Sequence, residues 1–76
     1  MNNTQYICEC VNNCKEFEFI KELSDFYKVD YVHLCNFALD FYNYQRRNGL
    51  DKKGCKIMSL CRACEYAGSE SEWMKP

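Results

Sequence analysis

The sequence has one histidine, His33, and with no second imidazole the histidine-based catalytic schemes have nothing to build on. It has no glycine-rich phosphate loop and no Gly-x-Ser-x-Gly elbow. Asp40 and the scattered glutamates form no paired-acid site, so enzyme activity is not expected. No apolar run is long enough to span a bilayer, so no membrane-spanning helix is expected. The opening stretch, MNNTQYICEC, has neither a basic n-region nor an apolar h-region; no signal peptide is expected, and the expected compartment is the cytoplasm. A net charge of −1 gives no overall pull toward nucleic acid or anionic membrane. Internal repeats and low-complexity segments are also missing.

What is abundant is aromatic and sulfur-bearing side chains. Phe17, Phe19, Phe26, Phe37 and Phe41 supply enough apolar surface for folding. The 76 residues make one domain at most, and chains this short often need a metal, disulfides or a partner subunit. Seven cysteines are present. Disulfides are rare in the cytosol, and an odd count does not pair completely, so the cysteines favour metal. Structural zinc takes four ligands, usually as two close pairs. Cys61 and Cys64, in CRAC, are one such pair; two of Cys8, Cys10 and Cys14 supply the other. A zinc ion held this way would clip the two ends of the chain together, where closing a long loop helps a small domain most. Two other readings stand beside it: small buried core residues, and a redox pair in CRAC. Cys35, amid Leu34, Ala38 and Leu39, reads as core, while Cys55 is either a spare ligand or a loop residue.

The expected architecture is mainly α. Residues 4–11, TQYICECV, are β-rich enough for a short strand, or form a knuckle around metal. Asn13 with Glu16 resembles a capping box for a first helix over about 14–28, whose apolar stripe is Phe17, Ile20, Leu23 and Tyr27, widened by Phe19 and Phe26. Asp30 is the N-cap of a second helix over about 31–47, and Gly49 is placed to end it. That helix has a narrow polar stripe: His33, Asn36, Asp40, Asn43 and Arg47. His33 there reads as solvated. The remainder is apolar, as in a helix central to a bundle or shared with a second copy of the chain. Residues about 56–67 form a short third helix ended by Gly68. The domain spans 1–68, and 69–76 form a mobile acidic tail with Trp73 as an anchor for a partner.

The stretch LSDFYKVDYVHLCNFALDFYNYQRR resembles the helical hairpin of ribbon-helix-helix proteins. Val29 and Asp30 fill the turn positions, and Leu34, Cys35, Ala38, Leu39 and Tyr42 fall where that family places the core of its second helix. The strand candidate precedes the first helix, as the family requires, so the resemblance covers residues 4–47. It implies an obligate dimer whose paired strands enter the DNA major groove. The strand candidate carries no Arg or Lys; the basic residues are instead Arg46, Arg47, Lys52, Lys53 and Lys56, after the second helix.

Two functions are therefore expected. The first is a zinc-binding regulatory or adaptor module that works by contact with a protein partner. The alternative is a dimeric, DNA-binding transcription regulator, with the basic cluster on phosphate and a response to metal. The abundance of Asn, Tyr, Lys and Glu matches an AT-rich genome, bacterial or phage.

Overall fold

The computed structural model describes residues 3–73, with side chains for 4–70. They form four helices: α1 (Asn3–Asn12), α2 (Glu16–Tyr27), α3 (Tyr31–Arg47) and α4 (Lys52–Trp73). Residues 4–11 are thus helical. The reason lies in which residues each periodicity would bury. Strand alternation puts Glu9 on the same face as Ile7 and Val11. Helical spacing of three and four gathers Ile7, Cys10 and Val11 into the core and leaves Glu9 and Asn12 in water. Burying Ile7 and Val11 contributes about 1.5–3 kcal/mol each.

α1 ends in a left-handed turn. Lys15 N–H donates to the Cys10 carbonyl (2.8 Å) and Cys14 N–H to that of Val11 (3.2 Å), with Cys14 at φ 56°. This is a Schellman cap with cysteine where glycine is usual. It takes Asn13 away from the expected capping box. Asn13 Nδ2 donates back to the Glu9 carbonyl (2.9 Å), and Lys15, the residue before α2, makes no side-chain cap. In α2 the buried stripe is Phe19, Ile20 and Leu23; Phe17 and Phe26, expected on the core face, are exposed.

A second left-handed residue, Lys28 at φ 60°, closes α2. Ser24 holds this turn from both ends: its carbonyl accepts from Val29 N–H (3.2 Å), and its Oγ donates to the Val29 carbonyl (2.6 Å). Asp30 then caps α3 as expected, its Oδ2 accepting from His33 N–H at 2.9 Å. Gly49, at φ 89°, ends α3. Gly49 N–H donates to the Arg46 carbonyl (3.1 Å) and Leu50 N–H to that of Gln45 (3.3 Å).

The central helix is α4 rather than α3. α4 packs against each of the other three helices, most extensively on α3. Its buried residues recur every four positions: Cys55, Ser59, Ala63 and Ala67, with Leu60 alongside. Cys55 is therefore a core residue. The hydroxyl of Ser59 is satisfied by donating to the Cys55 carbonyl at 2.7 Å. The stripe is mostly small side chains, which lets neighbouring helices pack close. That packing carries α4 through Gly68, where an end was expected, and on to Trp73. A mid-helix glycine costs about 1 kcal/mol, and Gly68 lies beside the Tyr27 ring, next to buried Ala67. On α3, only Leu34 and Ala38 are buried. Tyr31, Cys35, Phe37, Phe41 and Tyr42 are half-buried, and Val32, Leu39 and Tyr44 are exposed.

Candidate functional site

α2, α3 and α4 enclose a groove of about 310 Å³. Each helix contributes residues at helical spacing. From α3 come Cys35, Ala38, Leu39 and Tyr42; from α2, Phe17 and Ile20; from α4, Ser59 and Leu60. Phe17 is 57% and Leu39 47% exposed, so the apolar surface spreads beyond the groove mouth. An exposed apolar patch continuous with a groove is the usual mark of a docking surface. Cys35, expected in the core, is only half-buried and forms part of this wall.

Two charged side chains complete the lining, Glu16 and Lys56. Lys56 Nζ stands 3.9 Å from Glu16 Oε2, an ion-pair contact beyond hydrogen-bonding distance. That carboxylate oxygen is buried and has no hydrogen-bond partner.

The basic residues continue the groove at one end. Lys52 and Lys53 lie one turn before Lys56 on α4, and Arg46 lies one turn after Tyr42 on α3, so each extends a groove-forming row. Arg46 also donates from Nη1 to the Leu50 carbonyl (2.8 Å), fixing the α3–α4 connection. Arg47, Lys52 and Lys53 are exposed.

The five cysteines expected to hold zinc are dispersed. Cys8, Cys61 and Cys64 belong to the α1–α4 interface, where Cys8 is near enough to Cys61 to oppose its ionisation. Cys10 is buried on α1, its thiol facing Tyr6 and Glu22. Cys14 is exposed in the α1–α2 turn. Among the described residues no group of three or more His, Cys, Asp or Glu side chains is arranged to hold a metal ion. Burial pushes the thiols of Cys61, Cys64 and Cys10 above their ordinary range. Cys64 and Glu65 add to the effect at Cys61, Glu65 does so at Cys64, and Glu22 at Cys10. A thiol raised in this way is a poor nucleophile at neutral pH.

The far side of the α3–α4 contact is aromatic. Phe37 stacks on Tyr66 (4.4 Å between centroids, 14° between planes), and Arg62 lies over the Phe41 ring at 5.6 Å. His33 is exposed, as expected, yet its Nε2 is hydrogen-bonded to the Tyr66 hydroxyl. On α1, Tyr6 donates its hydroxyl to the Glu22 carboxylate (2.7 Å), and this bond pushes its pKa up to about 12. These contacts account for the two rings as packing and tethering groups. The side chain of Trp73 and residues 74–76 lie outside the described residues.

No protein family, curated protein or solved structure matches this chain. Val29 and Asp30 connect α2 to α3, and residues 4–11 lie in α1. Among the described residues no helix is long and apolar enough to cross a membrane. Sequence reasoning passed over Glu16, Phe17, Ile20, Ser59 and Leu60 as site residues. The signal that pointed there was the apolar excess on α3, more than one neighbouring helix can cover.

Proposed function

We propose that this chain is a non-catalytic interaction module that docks an acidic, amphipathic helix of a protein partner in the α2–α3–α4 groove. The observation that carries this reading is the continuity of the groove with exposed Phe17 and Leu39 and with the basic rows at Lys52, Lys53, Lys56 and Arg46. A helix with apolar anchors on one face and acidic residues toward one end complements both features. The raised thiols support a role without thiol chemistry, since an oxidoreductase needs a lowered one.

Fluorescence anisotropy with a labelled acidic amphipathic peptide tests the reading, using a charge-reversed peptide and a labelled DNA duplex as competitors. Binding of the acidic peptide, lost in Leu39→Asp, is expected. Binding of the duplex alone, lost when Arg46, Arg47, Lys52 and Lys53 are neutralised, would favour a DNA-binding regulator instead. A second copy of the chain, seated through α3, is the other occupant. Sedimentation equilibrium of the free protein would reveal it as a dimer that Leu39→Asp dissociates.

A zinc ion on two of Cys8, Cys10 and Cys14 with Cys61 and Cys64 would require these side chains to rearrange, because among the described residues they are not gathered into a metal-holding group. It would add to a fold whose core is already apolar, so melting after chelation is expected to stay cooperative. Native mass spectrometry before and after chelation reports the metal content directly.

A further inference from the structure

The groove is mainly apolar, with Glu16, Lys56 and Ser59 as its polar lining besides the Tyr42 hydroxyl. Glu16 Oε2 forms part of its wall, is buried, and has no hydrogen-bond partner. It is the one buried side-chain oxygen or nitrogen without a partner among the described residues. The nearest cation, Lys56 Nζ, is 3.9 Å away, too far to donate a hydrogen bond to it. Burying an acceptor without a donor is unfavourable, and native proteins rarely leave one so. A ligand bringing a donor into the groove relieves this; one bringing only hydrocarbon leaves it in place and deepens its burial.

We infer that the groove selects an anchor side chain with an apolar body and a single N–H donor, the indole of a tryptophan, and that Glu16 Oε2 accepts that hydrogen bond. Indole carries one donor and no acceptor, so it matches a wall that offers one unsatisfied acceptor beside Ile20, Leu39, Leu60 and Tyr42, with the Ser59 hydroxyl already donating to the Cys55 carbonyl. A phenylalanine or leucine fills the same space without the donor. A lysine would place its cation against Lys56 as well as Glu16. Tryptophan is also the residue type most enriched among anchors of protein interfaces. This inference rests on the docking reading above and specifies its anchor. Glu16 thereby becomes a specificity residue, and the ion pair with Lys56 holds its carboxylate at the groove wall.

The test uses two small probes, N-acetyl-tryptophanamide and the same compound methylated on the indole nitrogen. Both are titrated into isotopically labelled full-length protein and followed by amide NMR. Both are expected to shift the amides of Ala38, Leu39, Ser59 and Leu60, with the N–H probe binding roughly tenfold more tightly, as for a hydrogen bond to a charged acceptor. Glu16→Met should erase the difference by weakening the N–H probe alone, and Glu16→Gln, which keeps an acceptor, should restore part of it. The helical circular dichroism of each variant reports whether the fold survives. Equal binding of the two probes to the native protein would overturn the inference and leave the docking reading intact. Shifts absent from the groove with both probes would overturn the two together.

Discussion

Replacing Cys14 with glycine should make this protein more stable. Cys14 sits at φ 56° in the cap that ends α1, with its own N–H and that of Lys15 bonded back to Val11 and Cys10. An L-residue in the left-handed region carries a penalty of about 1–2 kcal/mol, which glycine does not. Glycine in turn gives the unfolded chain extra freedom, worth about 0.5–1 kcal/mol in the opposite sense. The net expectation is a gain of about 0.5–1 kcal/mol, or a rise of roughly 2–8 °C in Tm for a domain of this size. The assay is thermal melting by circular dichroism in reductant, with urea melts to confirm that the cooperativity is unchanged. Lys28→Gly tests the same logic at φ 60° in the α2–α3 turn, and the two gains should add. A Tm that falls in Cys14→Gly would refute the reasoning, because it would mean that the thiol itself holds the α1–α2 turn, as a metal ligand would.

Three further outcomes are expected. Asp30→Ala removes the side-chain acceptor of His33 N–H and should cost about 1 kcal/mol, read from the urea midpoint. Leu34→Ala, at a fully buried site facing the core, should cost about 2–5 kcal/mol and can leave the chain unfolded at room temperature. The third concerns pH. The thiols of Cys10, Cys61 and Cys64 are raised in the folded chain, so the unfolded chain loses these protons first. Their contribution is fully present below the unfolded thiol value of about 8.5 and is lost as pH rises through the higher folded values. Urea midpoints measured in reductant should therefore be level up to about pH 8 and fall above it. A rise in stability over that alkaline range would contradict the burial of these thiols.

The second helix was legible to the residue. Asp30 and Gly49 are punctuation with a local mechanism, a side-chain acceptor and a left-handed backbone, and neither depends on what packs around them. The first helix was legible in place but not in face. Phe17 and Phe19 are equally apolar, and tertiary packing decides between them: Phe19 is buried beside Tyr6 of α1, and Phe17 lines a groove. TQYICECV satisfies strand composition as well as helical spacing, and in α1 the helical spacing keeps Glu9 out of the core. α4 was read too short because Gly68 signals an end locally, whereas the stripe of Cys55, Ser59, Ala63 and Ala67 holds the helix together through tertiary contact. Cysteine spacing suggested a single cluster, yet helical geometry sends Cys8 to α4, Cys10 toward Tyr6 and Glu22, and Cys14 to solvent. The groove has no signature of its own in the sequence. It is built from residues on three helices, and only the unusual width of the apolar face on α3 announced that something was left to cover.

The docking claim itself is tested most directly by amide NMR of labelled full-length protein titrated with an acidic amphipathic peptide. The predicted result is a set of shifts confined to Phe17, Ile20, Ala38, Leu39, Ser59 and Leu60, extending along Lys52, Lys53 and Lys56 and weakening with salt. Shifts clustered elsewhere, or none at peptide concentrations where the labelled protein remains monomeric, would contradict it.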